Sequence, residues 1–470
     1  MHKRILIHIL PLLLLMSCGT YSEHTSKEQG IAMRPPMGWN SFDAWDYRID
    51  EKQFKATVDV MSERLLKHGW EYAVIDYIWW YWEPANGEDP PRFNDPNLAY
   101  DSTGKPDHPE YITVDEIGRY LPSPQRFPSS AGGKGFRLLA DYVHSKGLKF
   151  GIHIMRGIPR YAVELNLPVK GSGYHASDIA VKSDTCGWLN HNFGIDASKP
   201  GAQAYYNSLF DMYASWDVDF VKVDDILSPV FHAGEIELIR KAIDQCGRPM
   251  VLSLSPGEAP VTQAPFLVKN ANMWRIAEDF WDDWPSLLHN FDLLNEWSPW
   301  IGAGHWPDAD MLPVGHISLN GLPHGPDRFS NLTWNEQVTM MTLWSVARSP
   351  LMIGGDLLSS PDSTFLLLTN DEVLYVDQNS KNNRQVIRTK GENEHVVWMA
   401  ADSGSSDTFV AMFNLSLKEN RVCFDLEKEN LKDAYKVRDL WEHENIGKVQ
   451  GQICAVIPPH GAVLYRLSKQ

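Results

Sequence analysis

Carboxylates follow short apolar runs at several points of this 470-residue chain. The clearest case is DFVKVDDI, residues 219–226, where an apolar run interrupted by Lys222 ends in Asp224 and Asp225. This pattern predicts a short buried strand with acid at its C-terminal end. In a parallel α/β barrel the active site is assembled at that end of the strands, which favours a catalytic acid. These residues alone leave two alternatives open, an Asp that caps the next helix and an Asp that pairs with Lys222.

Other predicted strands also end in acid. Adjacent carboxylates repel and shift one another's pKa, so a set of them on one rim indicates that something uses them. Glycoside hydrolysis is one such use, because it needs one ionised and one protonated carboxyl group, which basic neighbours and burial can separate. Lys222 and Arg275 are placed to be such neighbours. The additional acids are Asp76, Glu278, Asp279, Asp308, Asp310 and Asp356.

Metal binding is the other use of clustered acids, since hard cations prefer oxygen ligands. The sequence contains no HExxH motif, EF-hand loop or Cys/His spacing that would support it. We therefore expect neither a metal nor another cofactor.

Composition restricts the partners. A net charge of −17 argues against nucleic acid and anionic membrane surfaces, because both would repel the protein at long range. The 18 Trp residues favour an aromatic-lined cleft for a carbohydrate, whose C–H faces stack on rings. A Trp-rich core is the alternative.

The N-terminal sequence MHKRILIHILPLLLLMSC has a basic start and an apolar run too short for a convincing membrane span. It resembles a bacterial lipoprotein signal, in which residues 1–17 are removed, Cys18 is lipidated and residues 18–30 form a tether. We expect an exported protein, held in the bacterial envelope, periplasmic or on the cell surface, by that lipid alone. Such a protein can pair Cys423 with Cys454, although spacing does not decide it.

The acids require a scaffold of alternating strands and helices. The patterns predict eight βα units over residues 31–378, a (β/α)8 TIM barrel, followed by an antiparallel β-sandwich over residues 379–470. Strands are predicted in 34–45, 72–78, 149–154, 220–223, 250–255, 273–279, 304–311 and 350–356, with helices near 51–68, 134–146, 199–216, 233–245 and 335–347. The sandwich strands are predicted at 396–400, 408–415, 421–426 and 462–467.

A long stretch between Trp79 and Phe136 is rich in Pro, Asp and Gly and has no clear period. Loops of this length in compact domains are usually functional, so this one is expected to wall the cleft. The aromatic cluster at residues 79–82 is interpreted as a sugar platform. Ordinary packing is the alternative for at least half of the cluster.

Seven motifs carry a family resemblance. They are PPMGWNSF, PQRFP, DYVHSKGLKFGI, DFVKVDD, WRIAED, GHWPDADML and RSPLMIGGDL. Together they resemble glycoside hydrolase family 27, the α-galactosidases and α-N-acetylgalactosaminidases, in the family's order and over nearly all of the chain after the signal. The resemblance implies an exo-acting, retaining hydrolase that releases terminal α-galactosyl residues from oligo- or polysaccharides by double displacement.

The resemblance also implies roles for individual residues. Asp224 matches the nucleophile, and Asp279 matches the general acid and then base. Asp76, Lys222, Arg275 and Asp310 match sugar-contacting positions of the first subsite, and Trp39, Phe42, His153 and Ser255 occupy places that face it.

The departures from the family concern the substrate. Tyr77 follows Asp76 where many members have a second acid, so one of the contacts to the 4- and 6-hydroxyls is lost. Ser255 stands where α-galactosidases often have Glu for the 2-hydroxyl, and His153 replaces Tyr. The specificities of an α-N-acetylgalactosaminidase, a β-L-arabinopyranosidase or an isomaltose-releasing dextranase thus stay open. So does a non-catalytic surface glycan-binding lipoprotein, which would not need both Asp224 and Asp279.

Overall fold

The computed structural model describes residues 30–81, 112–319, 321 and 324–470. The predicted signal, Cys18 and the tether up to residue 29 lie outside the described residues, and so do Trp82 and the part of the long loop up to residue 111. Among the described residues, no helix combines the length and the apolar character needed to cross a membrane.

Eight parallel strands form the predicted barrel. Each strand pairs with its neighbour in chain order, and the last pairs with the first. The remaining gap, between the seventh and eighth strands, is bridged where Leu312 pairs in parallel with Ile353. The strands are β1 (Met37–Asn40), β2 (Tyr72–Ile75), β3 (Lys149–Met155), β4 (Phe220–Asp224), β5 (Val251–Leu254), β6 (Met273–Arg275), β7 (Trp306–Asp308) and β8 (Leu351–Ile353).

Helices follow the strands, which confirms the βα alternation. Those that surround the barrel are Glu51–Val60, Arg137–Ser145, Pro200–Ser215, Ala233–Gln245, Ala264–Asn270, Trp284–Trp297, Trp334–Ala347, Asp362–Leu368 and Asp371–Asn379. Shorter helices are Phe42–Trp45, Arg160–Glu164 and Ala176–Ile179. Two small sheets decorate the loops, one formed by Ile158–Pro159, Ala180–Val181 and Asn192–Ile195, the other by His316–Ile317 and Arg328–Phe329.

The helix that begins at Glu51 starts and stops near the predicted residues because both ends carry local signals. It begins at a capping box, in which the Asp50 carboxylate accepts from the Gln53 N–H while the Gln53 side chain accepts from the Asp50 N–H. The α-helix ends at Val60 and continues as π- and 3₁₀-helical turns to His68. The chain then stops at Gly69, whose φ of +97° is the left-handed conformation that glycine adopts without steric cost.

The aromatic cluster after β2 belongs to the core. Trp79 and Trp80 are 0% exposed and Tyr81 is 3% exposed. The Trp79 indole donates to the His153 carbonyl at 2.6 Å, and Trp80 stacks on Tyr120 with ring centroids 4.3 Å apart. The sugar-platform interpretation is therefore wrong for these three residues, because their rings are already enclosed by protein.

The C-terminal region is a two-sheet antiparallel sandwich, as predicted. Val410 of one sheet and Phe424 of the other are both buried in its core, and a disulfide joins Cys423 to Cys454 at directly paired positions. A six-stranded sheet contains β9 (Ser380–Arg388), β10 (His395–Asp402), β11 (Thr408–Asn414), β13 (Tyr435–Asp439), β14 (Glu444–Val449) and β16 (Ala462–Lys469); β12 (Asn420–Asp425) pairs with β15 (Gln452–Ile457).

Candidate active site

The barrel brings the acids that follow its strands to one rim, because parallel strands all end on the same side. Asp76 follows β2, Asp224 ends β4, and Asp310 lies just beyond β7. Not every predicted acid joins the cluster: the Asp356 carboxylate accepts from the N–H and hydroxyl of Ser359 and so caps the turn after β8.

Asp76 and Lys222 form a buried ion pair. Lys222 Nζ lies 2.9 Å from Asp76 Oδ2, which also accepts from the Asn40 side-chain amide at 2.6 Å. Burial alone would raise the pKa of Asp76, but Lys222, His153 and hydrogen bonds hold that pKa well below its usual range. Asp76 is therefore an ionised acceptor, and the alternative in which Lys222 pairs with Asp224 is wrong.

Asp224 is held at both carboxylate oxygens. His153 Nε2 lies 3.2 Å from Oδ2, and the backbone N–H of Asp225 donates to Oδ1 at 2.8 Å. Burial would raise the pKa of Asp224, yet the hydrogen bond and charge of His153, the charge of Lys222 and the Asp225 N–H together lower it. The result is an oriented, ionised carboxylate, the form that a carboxylate nucleophile requires.

Asp279 is the exposed member of this group of acids and is held by Arg275. Arg275 Nη2 is 3.2 Å from Asp279 Oδ1, and Nη1 is 2.8 Å from Asp310 Oδ1. The Asp279 side chain is 54% exposed, whereas that of Arg275 is only 4% exposed. A carboxyl group that is anchored on one oxygen and open to water can exchange protons with solvent, as a general acid and base must.

Two further acids beside Arg275 are deeply buried. Burial and the neighbouring Asp310 raise the pKa of Asp308 to about 7, against the opposing charge of Arg275. Burial, joined by Asp279, also raises the pKa of Asp310. Arg275 is therefore surrounded by three acids, and burial favours the neutral form of the two that are enclosed.

A connected group of aromatic rings, drawn from several parts of the barrel, lies beside these acids. Tyr77 meets Phe42 and His153 edge to face, with ring centroids 5.9 and 5.8 Å apart. Phe42 in turn contacts His324 at 5.0 Å, and His324 stacks on Trp281 at 4.7 Å. Phe42, Tyr77 and His153 were predicted; Trp281 and His324 were missed. Trp281 has a local signal, its position two residues after Asp279, whereas His324 belongs to a distant loop without a motif.

Two of the predicted subsite residues, Trp39 and Ser255, are almost completely buried. Trp39 is 0% exposed, and its indole donates to the Gly355 carbonyl at 2.8 Å, so a contact of Trp39 with substrate stays a prediction. Ser255 is 3% exposed, and its N–H donates to the Val223 carbonyl at 2.8 Å, next to the end of β4.

Sequence reasoning also missed Asp43, a buried acid near the pocket. Its Oδ2 atom is buried without a hydrogen-bond partner, and burial raises the pKa of this carboxyl well above its usual value, with a further contribution from Asp310. No local signal marks Asp43, because it lies in the short helix after β1 and not at a strand end.

Within the described residues, one group brings three possible metal ligands together. Atoms of Asp184, His232 and Glu235 lie within 4.8 Å of one another. The guanidinium of Arg156, however, already forms ion pairs with Asp184 and Glu235, at 2.7 and 3.0 Å. These residues therefore do not fit a metal, since a fixed cation already neutralises the carboxylates.

Comparisons with known proteins point to the same family in both the barrel and the sandwich. The family profile described as "Alpha galactosidase A" matches residues 190–379, and that of the "Alpha galactosidase C-terminal beta sandwich domain" matches residues 392–467. A crystal structure of a β-L-arabinopyranosidase of glycoside hydrolase family 27 from Geobacillus stearothermophilus is 47% identical, covers 94% of this chain and 98% of its own, and superposes with a TM-score of 0.87.

More distant relatives carry other specificities. Alpha-galactosidase 2 of Arabidopsis thaliana is 28% identical over 473 residues, 99% of this chain and 98% of the relative. An alpha-N-acetylgalactosaminidase of Gallus gallus is 25% identical over 475 residues, 94% of this chain and 95% of the relative. Each similarity spans both the barrel and the sandwich.

Proposed function

Because the chain belongs to glycoside hydrolase family 27, we propose that it is a retaining, exo-acting glycosidase that releases terminal α-galactosyl residues from oligo- or polysaccharides. One observation supports this proposal above the others. Two carboxyl groups at the same rim are held differently: Asp224 is enclosed and hydrogen-bonded at both oxygens, and Asp279 is anchored at one oxygen and open to water.

The two environments fit the two steps of double displacement. Asp224 attacks the anomeric carbon while Asp279 protonates the departing glycosidic oxygen, which leaves a glycosyl ester on Asp224. Asp279, now ionised, takes a proton from water as the water attacks the same carbon and frees Asp224. Each step inverts the anomeric carbon, so the product retains the configuration of the substrate.

Charged side chains at the site would form the hydrogen bonds to the sugar hydroxyl groups. The Asp76–Lys222 ion pair presents two charged groups, and Arg275, which contacts Asp310, presents a third, all at buried positions. Hydrogen bonds to ionised groups are about twice as strong as neutral ones, so these groups orient hydroxyl groups firmly. A sugar with the wrong hydroxyl arrangement leaves buried charges unpaired, which is how such a site selects its substrate.

A β-L-arabinopyranosidase is a second candidate, favoured by Tyr77. A β-L-arabinopyranoside has the ring of an α-D-galactoside without the exocyclic hydroxymethyl group. Tyr77, next to Asp76, presents a ring that packs on Phe42 and His153 where many family members have the second of two acids that hold the 4- and 6-hydroxyls. Aromatic rings in place of an acid suit a sugar that lacks the 6-hydroxyl, and the 47%-identical relative has this activity.

A panel of aryl glycosides tests the proposal. Purified protein is assayed for kcat/KM on α-galactosyl, β-L-arabinopyranosyl, α-N-acetylgalactosaminyl and α-glucosyl substrates, with Asp224→Asn as the inactive control. We expect α-galactosyl turnover above the other three. A preference for the arabinopyranosyl substrate would establish the second candidate. Binding without turnover of any glycoside would instead indicate a glycan-binding protein.

We further propose that the protein is an exported lipoprotein held in the bacterial envelope by lipid on Cys18. The support is the LMSC sequence after a short apolar run, together with the Cys423–Cys454 disulfide, because disulfides persist in oxidising compartments. Mass spectrometry of the mature N-terminus tests this. An unlipidated N-terminus produced by cleavage elsewhere would contradict it.

A further inference from the structure

A buried arginine lies behind the candidate nucleophile. Arg156 immediately follows β3, and its side chain is 3% exposed. The guanidinium forms ion pairs with three carboxylates: Asp184 at 2.7 Å, Asp225 at 3.0 Å and Glu235 at 3.0 Å. One cation therefore serves three acids from three different parts of the chain. A cluster of this kind is costly to bury and is formed only where its geometry is well satisfied.

The same arginine holds the backbone around the nucleophile. The Arg156 N–H donates to the Asp224 carbonyl at 3.1 Å, and its Nε–H donates to the Asp225 carbonyl. Arg156 thus contacts the carbonyl and the carboxylate of Asp225 with one side chain. Asp225 has a φ of +60°, a left-handed conformation that a non-glycine residue adopts only where its surroundings impose it.

The conformation of Asp225 determines one of the two hydrogen bonds on the nucleophile. Its N–H donates to Asp224 Oδ1 at 2.8 Å, while Oδ2 faces His153. If the left-handed turn relaxed, this N–H would move away from Oδ1, and the carboxylate would be free to rotate. The orientation of Asp224 therefore depends on whatever keeps Asp225 in place.

Arg156 is itself held rigidly. Its carbonyl accepts from the Asn192 side-chain amide at 2.8 Å, and the next N–H, of Gly157, donates to the Tyr206 hydroxyl at 3.0 Å. That hydroxyl donates in turn to Glu235, one of the arginine's ion-pair partners. The arginine is thus fixed from both its backbone and its side chain.

We propose that Arg156 is a positioning residue for Asp224. It fixes the left-handed turn at Asp225, and through the Asp225 N–H it sets the angle at which the nucleophile meets the anomeric carbon. Arg156 does not touch the substrate. The inference rests on the proposed function, since it assigns Asp224 as the nucleophile.

The test compares three variants with the wild type. Arg156→Met removes the charge and the donors, Arg156→Lys keeps the charge and part of the donation, and Arg240→Met is the matched control. Arg240 is also a buried arginine, 7% exposed in its side chain, but its ion pair is with Asp244 on the same helix and not with Asp225. Each protein is assayed for kcat, KM, product inhibition by the released sugar, and the rate of covalent labelling by a 2-deoxy-2-fluoroglycosyl fluoride.

We expect Arg156→Met to lower kcat and the labelling rate in parallel by about 100-fold. The reason is that displacing a nucleophile by about 1 Å can lower the reaction rate by that factor. Product inhibition should stay within about threefold of the wild type, and Arg156→Lys should recover part of the labelling rate. If Arg156→Met does not fold, the test relies on Arg156→Lys. In that case we expect Arg156→Lys to be labelled at least about fivefold more slowly than Arg240→Met.

Either of two results would overturn the inference. One is wild-type labelling in a folded Arg156 variant. The other is an equal loss of labelling and of product binding, which would indicate general disruption of the pocket. Failure of the proposed function has a different signature, because the wild-type protein would then neither turn over any glycoside of the panel nor be labelled at Asp224.

Discussion

His153 Nε2 lies 3.2 Å from Oδ2 of Asp224, at the base of the pocket, with the imidazole ring fully buried. An ionised carboxylate can only accept, so the imidazole must donate from Nε2. This contact comes first among the influences that hold the pKa of Asp224 low against burial, which would raise it. The neighbouring strands β3 and β4 place His153 directly opposite Lys222 in register, two residues before Asp224.

The pH dependence of activity should follow from this contact. Only ionised Asp224 attacks, so kcat/KM falls as pH drops through its lowered pKa. His153→Phe removes the donor, and we expect the acidic limb to move to higher pH by about one to two units, the worth of a hydrogen bond to a charged group. The pH profile of kcat/KM measures this, with His395→Phe in the sandwich as control. An unmoved acidic limb in a folded, active His153→Phe protein would show that the contact does not govern the ionisation of Asp224.

The two candidate catalytic acids should respond differently to neutralisation. Asp224→Asn should reduce kcat by at least about 10⁴-fold on every substrate, because no covalent intermediate can form. Asp279→Asn should retain activity on dinitrophenyl glycosides, whose leaving group needs no proton, and lose it on unactivated glycosides. Steady-state kinetics on both substrate classes measures the asymmetry. Glu278→Gln is the neighbouring control, and equal loss on both classes for Asp279→Asn would refute its role as the acid.

Removing one partner of the buried Asp76–Lys222 ion pair should lower the stability of the fold. Lys222→Met leaves the Asp76 carboxylate buried and unpaired, so we expect the free energy of unfolding at pH 7 to fall by about 3 to 5 kcal/mol. The pKa of Asp76 is depressed in the folded protein, so the stability it provides is present above the unfolded pKa and lost as pH falls through the folded one.

The loss caused by Lys222→Met should therefore shrink toward low pH, where Asp76 becomes protonated in the variant. Urea unfolding at several pH values measures it, and the double variant Asp76→Asn, Lys222→Met should recover part of the loss at pH 7. A loss that is constant with pH would mean that lost packing, not charge, causes it.

Tyr77 and Ser255 should set the choice of sugar. Tyr77→Asp restores the second acid of the pair that holds the 4- and 6-hydroxyls in many family members. We therefore expect the ratio of kcat/KM for α-galactosides over β-L-arabinopyranosides, and over α-glucosides, to rise by about tenfold or more. Ser255→Glu fills space beside the 2-position and should lower any activity on 2-acetamido sugars while sparing 2-hydroxy sugars. The measurement is the ratio of kcat/KM between substrates, because a folding defect lowers kcat/KM for all substrates by the same factor. Unchanged ratios in both variants would place the specificity elsewhere.

Much of this architecture is predictable because it depends on local patterns. The apolar run before Asp224 and the capping box at Asp50 are encoded within a few residues, so the barrel strand and the helix start could be read directly. Strand β14 could not, since Glu444–Val449 is polar and almost wholly exposed and has no apolar alternation. The strands β9 and β13 were missed as well, because polar and charged residues make up most of each. The largely apolar run of β15, QICAVI, was also missed, although it carries a strand signal.

The remaining features depend on contacts between distant segments. The Cys423–Cys454 disulfide requires the register of β12 against β15, which spacing does not give. His324 meets Phe42 and Trp281 only in the folded protein, where Arg328 donates to its carbonyl at 3.1 Å within the same loop. Arg156 has no motif of its own, and its three carboxylates become neighbours only in the folded barrel. Local sequence thus shows which groups carry the chemistry, and tertiary packing decides what orients them.

The stereochemistry of the first-formed product tests the central claim most directly. Proton NMR, recorded within minutes of adding enzyme to the aryl glycoside that it cleaves fastest, shows the anomeric signal of the released sugar before mutarotation. Attack by Asp224 followed by attack of water predicts that this sugar has the same anomeric configuration as the substrate. A first-formed product of inverted configuration would contradict the account, because water would then have displaced the leaving group in a single step and Asp224 would not be the nucleophile.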